Sequence, residues 1–241
     1  MNNLDLREFI ASLLANSHRM DGRKLDEFRE PIEIKIDISK NAEGSASVKI
    51  GETEVIAGVK MGVGQPFSDS PDEGVLMVGV ELLPLSSPEF ESGPPGEQAT
   101  ELARVVDRGI RESKMIDMKK LCIKKGELVW IVYLDIYTMN DDGNLIDACA
   151  LASITALKNT VFPVLENDKV KFGEFTKNKL PIIKIPITCT LYKIGSHYIV
   201  DADLREDRAS DARITLCFTE NNNICAAQKG GSSGIKVEEL G

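Results

Sequence analysis

Arg104, Arg108 and Arg111 stand four and three residues apart, so on a helix they share one face. Such a face can grip a row of phosphates, or it can be a solvated face laced with ion pairs. Asp107, four residues before Arg111, favours the second reading on spacing alone. A loop, Asp142-Gly143-Asn144-Leu145-Ile146-Asp147-Ala148, leads into an apolar helical run. It has no Ser, Thr or Arg, but carries two carboxylates and two apolar side chains, and Asn144 suits a helix cap. Asp201, Asp203, Asp207 and Asp211 gather further on; Asp211, at a strand start, reads as a turn or ion-pair residue beside Arg213. Lys119, Lys120, Lys124 and Lys125 read as a solubilising loop. The five cysteines show no C-x-x-C spacing and lie in or beside apolar runs, which points to reduced, buried thiols. With only His18 and His197, no histidine-based metal or catalytic centre is expected, and no cofactor is called for.

These side chains must be held by an ample core, since 42% of the 241 residues are hydrophobic although only 5% are aromatic. A net charge of −9 argues against a freestanding nucleic-acid binder; any RNA contact must come from a local basic patch or a shared surface. Residues 4–16 read as an amphipathic helix, no run reaches membrane-spanning length, and a soluble, cytoplasmic chain without membrane contact is expected. Ile32, Ile34, Ile36 and Ile38 alternate with charged residues, as a strand does. With Val48–Ile50, Val55–Val59 and Val75–Leu85, and Gly51-Glu52 as a turn, they predict a four-strand meander. Leu102, Val105, Val106, Ile110 and Met115 mark a helix from Glu97 to about Asp117. Leu128–Tyr137 reads as a strand buried on both faces, and Leu145–Val161 as a central helix. Strands then recur at 182–191, 198–200, 213–218 and 224–227, with a turn at Asn221–Asn223 and a helix start at Ile235–Leu240. The order predicts an α+β fold with a first unit over 1–162, its N-terminal helix included, and a smaller α/β unit over 163–241.

Particular residues narrow this. Met20-Asp21-Gly22-Arg23, the hairpin Gly51–Lys60, the helix Glu101–Arg111 and the strand Val132–Asp142 with its Ala-rich helix together resemble the RNase PH family, in order and in spacing, over about Met20 to Gly230. The resemblance implies an RNase PH-like fold, with a first unit like domain 2 of ribosomal protein S5. Within the family the chain is most similar to the non-catalytic ring subunits of archaeal exosomes. That similarity implies a catalytic RNase PH-like partner in an alternating hetero-hexameric ring, RNA-binding cap proteins and single-stranded RNA.

Catalytic members degrade RNA from the 3′ end with phosphate as the attacking group, at a loop resembling Gly-Gly-Thr-Arg-Thr. Backbone N–H groups at a helix start, hydroxyls and an arginine suit that anion. Here the matching loop is Gly143, Asn144, Leu145, Ile146 and Asp147, and Asp142 and Asp147 would repel phosphate. Gly96-Glu97-Gln98 departs again, with Glu97 where the family pattern has arginine. No catalytic residue is therefore assigned. The resemblance turns Arg104, Arg108 and Arg111 toward RNA phosphates beside the neighbour's cleft, contacts that hold a strand without reading it. Two other readings stand against this: a homo-oligomeric phosphate-dependent exoribonuclease, and a ring scaffold without RNA contact.

Overall fold

The structure, a computed structural model, describes residues 3–236; the helix start expected at Ile235–Leu240 lies largely outside the described residues. Helix α1 (Asn3–Leu14) comes first. Three antiparallel strands follow, β1 (Ile32–Ile36), β2 (Gly44–Ile50) and β3 (Thr53–Gly64). Ile50 pairs with Thr53, so Gly51-Glu52 is the expected two-residue turn, with Gly51 at φ +57.

The meander ends there. Strand β4 (Val75–Glu81) lies at the far edge of the sheet from β1, and not beside β3. Helix α2 (Glu97–Ser113) and the short β5 (Cys122–Lys124) lead into β6 (Leu128–Asn140), and the sheet order is β1-β2-β3-β6-β4, with β5 also on β6. β4 runs parallel to β6 because α2 carries the chain back across the sheet, as a parallel pair requires. Burial of β6 on both faces is also corrected. Trp130, Val132, Leu134 and Ile136 are buried while Tyr133 and Asp135 are exposed, because the helices cover one face only.

α2 buries Leu102, Val105, Val106 and Ile110 as its period predicts, but it stops at Ser113, where Lys114 turns left-handed at φ 56. Helix α3 (Leu145–Asn159) is central, packed on β2, β3 and α2. It ends two residues early, since Val161 begins β7 (Val161–Glu166), which pairs with β8 (Lys169–Lys179). A boundary after 162 thus falls inside β7.

The second sheet orders its strands β10-β9-β11-β12: β9 (Ile187–Ile194), β10 (His197–Val200), then helix α4 (Leu204–Ala209), β11 (Ala212–Phe218) and β12 (Ile224–Gly231). β9 starts five residues later than the strand read from 182, just past Pro186, which has no N–H for a ladder. α1 does not join the first unit. Its Ile10 and Leu14 pack with Tyr192, Ile194 and Ile199 in a separate small core, and it lies on α4 and β9.

Candidate functional site

Asn144 stands at the start of α3 with φ 54, yet its side chain does not cap the helix. Its Nδ2 donates to Asp147 Oδ2 at 3.0 Å and to Asp201 Oδ1 at 2.9 Å, and the Tyr192 hydroxyl donates to its Oδ1 at 3.3 Å. Asn144 thus holds the cap position without capping: its Nδ2 is fixed by two buried carboxylates, which leaves its Oδ1 facing the Tyr192 hydroxyl and not a helix N–H. Asp147 is itself buried and accepts from the Thr190 backbone N–H at 3.0 Å and the Thr190 hydroxyl at 2.8 Å. Burial pushes its pKa up to about 6, against the hydrogen bonds that hold it down. It therefore tethers α3 to β9 and presents no charge outward. Leu145 and Ile146 are buried in the main core.

The remaining loop atoms are also spoken for. The Gly143 carbonyl accepts from Thr53 Oγ1 at 2.7 Å and from Arg29 Nη2 at 3.1 Å. The Gly143 N–H donates to Asp141 Oδ1 at 3.1 Å, and the Asp142 N–H donates to Thr53 Oγ1 at 3.2 Å. A Cβ on Gly143 would lie 2.6 Å from the Ala202 carbonyl oxygen, so the loop backbone presses directly on the second unit. Asp207 lies by the Asn144 backbone at the helix mouth; burial pushes its carboxyl up to about 6, against the pull of Arg213 and of that backbone. An anion approaching this helix start meets the chain's own carboxyl.

Three arginines that spacing did not single out organise this region. Arg29 grips Asp201 with Nε at 3.0 Å and Nη2 at 2.8 Å, and its Nη1 meets Asp142 Oδ2 at 3.2 Å. Arg19 pairs with buried Glu206 at 2.5 Å. Arg23, from the Asp-Gly-Arg motif, reaches Asp21 at 2.5 Å and Asp201 at 3.2 Å. Burial works against the Asp201 charge, but Arg29 outweighs it and holds the carboxyl below its ordinary range. The only signal in the sequence was the Asp-Gly-Arg motif; Arg19 and Arg29 lie far from their partners along the chain and carry no local pattern.

The α2 arginines differ from one another. Arg104 is exposed, and among the described residues no hydrogen bond or ion pair holds it. Arg108 is half-buried, its Nη1 donating to Gln228 Oε1 at 2.8 Å. Arg111 pairs with Asp107 at 2.8 Å, as i,i+4 spacing implies, and also donates to the Leu76 carbonyl. Toward its N-terminus α2 lines a cleft of about 230 Å³ with Asp141, Asp207, Arg208 and Arg213. Arg213 points there to Glu101 at 2.6 Å and does not pair with Asp211. Asp211 lies elsewhere, bound by Arg7 of α1 at 2.7 and 3.0 Å and by the Gly195 N–H at 2.7 Å. The cleft therefore brings Asp141 and Asp207 together, and leaves Asp211 and the three α2 arginines outside its lining.

Models of the two domains of the 3′ exoribonuclease family match residues 27–163 and 184–240. The chain is 47% identical over 225 residues to the exosome complex component Rrp42 of Archaeoglobus fulgidus, covering 93% of this chain and 85% of that protein. It is 46% identical to the Rrp42 component of Thermococcus gammatolerans, over 98% of this chain and 87% of that one. A solved structure described as the Archaeoglobus fulgidus exosome with RNA bound to the active site superposes with a TM-score of 0.89 at 44% identity, covering 99% of this chain and 91% of the matched chain.

Proposed function

The chain belongs to the 3′ exoribonuclease family of RNase PH-like proteins, and from that premise we propose that it is a non-catalytic ring subunit of an archaeal exosome. It braces the active site of a catalytic RNase PH-like partner and helps hold RNA for 3′-to-5′ phosphorolysis. One observation carries the non-catalytic part. Where phosphate would sit at the start of α3, the Gly143 N–H is taken by Asp141, and the Asp207 carboxyl stands by the Asn144 backbone. Attack on the terminal linkage needs donors that stabilise growing negative charge. This loop offers carboxylates where such donors are needed, and its Gly143 and Asp142 N–H groups are already engaged by Asp141 and Thr53. The RNA-holding part rests on Arg104 first, since its guanidinium is exposed and uncommitted. Arg108 can join it by releasing Gln228.

The test uses this chain alone and assembled with its catalytic partner. The pure chain releases no nucleoside diphosphate from RNA with phosphate; the assembly does. Replacing Arg104 and Arg108 by Ala weakens RNA binding by the assembly and lowers the slope of log affinity against log salt by about 1 to 2. Phosphate-dependent release by the pure chain overturns the non-catalytic reading. Unchanged affinity and salt slope favour the scaffold reading, which the Asp107 and Leu76 contacts of Arg111 already support for that residue.

A further inference from the structure

The hairpin of β7 and β8 lies on the other side of the chain's charge balance. Over the whole hairpin, residues 161–179, four lysines stand against Glu166, Asp168 and Glu174, a local +1 in a chain of net −9. Among the described residues Lys169, Lys177 and Lys179 are in no ion pair, while Lys171 pairs with Glu166. The strand pairing is broken in two places: between Val161, which faces Lys179, and Pro163, which faces Phe175, and again at the next residue, Val164, which faces Lys171. Phe172, Gly173 and Glu174 are therefore extruded from β8 as a bulge, with Gly173 at φ +81. Bulges of this kind re-aim a side chain. Here the effect is to set Phe172 out in solvent at 80% exposure, the most exposed of the chain's large hydrophobic side chains among the described residues. Lys60 Nζ lies 5.9 Å from the centre of the ring and also pairs with Glu43 at 2.8 Å, and Lys171, which precedes the ring in the strand, pairs with Glu166 at 2.7 Å. Phe175 is exposed on the same strand.

We propose that this bulge is a second contact site for single-stranded RNA, in which a base stacks on Phe172 and the lysines of β8 neutralise flanking phosphates. A lone exposed ring is common on protein surfaces, but this one stands on a bulge with Phe175 exposed on the same strand and lysines beside it. Bases cover such rings without regard to sequence, and lysines beside them suit an anionic backbone. A protein anchor would account for the ring alone; Lys169, Lys177 and Lys179 of the same strand, which no carboxylate engages among the described residues, are what favour a polyanion. The site is independent of the arginine face, because β8 packs on β7 and β3 rather than on α2. It rests on the proposed function only for its choice of ligand.

The experiment measures binding of a labelled single-stranded oligoadenylate to the assembly with the catalytic partner, at several salt concentrations. Phe172→Ala weakens binding about tenfold, within the range of one stacked base, and Phe172→Trp restores it. Lys177→Gln with Lys179→Gln lowers the salt slope, and RNA carrying 5-iodouracil crosslinks to Phe172. Arg104→Ala and Arg108→Ala, measured in parallel, report on the α2 face separately, so either site can fail while the other stands. Unchanged affinity in Phe172→Ala, with no crosslink, overturns the proposal. So does loss of assembly in Phe172→Ala, which would make the bulge a protein contact.

Discussion

Asp147 shows how far a residue's type can mislead about its role. As a carboxylate in a phosphate-binding position it reads as a repulsive charge. In the fold it is a buried acceptor for Thr190 and Asn144, with a pKa of about 6. A carboxyl raised above its unfolded value binds its proton more tightly in the native state. Its contribution is therefore most favourable below about pH 4 and is lost as pH rises toward 6. Integrated, that loss is roughly 3 kcal/mol, an upper figure for a single buried group. Asp201, held low by Arg29, works the other way: its support is present above the ordinary carboxyl range and fades as acid protonates it. We expect Asp147→Asn to flatten the fall in stability between pH 4 and 6, measured by urea unfolding across that range. Parallel curves for parent and variant would refute the assignment. Neither partner set was legible in the sequence, because Thr190 is 43 residues from Asp147 and no local pattern links them.

Elements were legible where they depend on local periodicity. The apolar stripe of α2 and the turn at Gly51-Glu52 were read directly from their own residues. Strand order was not, since nothing in β4 records that β6 will come between it and β3. The same limit applies to α1, whose stripe said that it docks but not on which unit. Close approach of elements is likewise invisible until they meet. Gly44 in β2 is a case: a Cβ there would stand 2.5 Å from the Ala156 carbonyl oxygen and 2.8 Å from Thr160 Cα. Both are backbone atoms at the end of α3, which cannot swing aside as a side chain can. Gly44→Ala should cost about 1 to 3 kcal/mol, the usual penalty for overpacking. A lower urea midpoint at unchanged m-value is the expected result; an unchanged midpoint would mean that β2 and α3 separate freely.

Over the whole molecule, the two units meet where α2 and α3 pack on the second sheet, and a charged clasp joins them beside that contact. The buried clusters are separate, and Arg29 spans them by binding Asp201 of the second unit and Asp142 and Gly143 of the first. Removing one partner of a buried pair strands the other charge, at a cost of about 3 to 5 kcal/mol. Arg29→Ala should therefore split thermal unfolding, read by calorimetry, into two transitions. One transition at the parent midpoint would show that the units are coupled elsewhere. The residues of this clasp also explain why family resemblance outran site reasoning. The Asp-Gly-Arg motif was visible as a signature, while its work in joining two units depends on partners about 180 residues away.

The docking of α1 has a consequence in time. Arg7 and Asp211 are 204 positions apart, and Ile10 and Leu14 wait for a surface made of Tyr192, Ile194 and Ile199. At ordinary rates of translation that interval is about 10 to 40 s. For all of it the amphipathic helix is made before its seat exists, and the nascent chain carries an unburied apolar stripe. The helix can be secured only once the second sheet has been made.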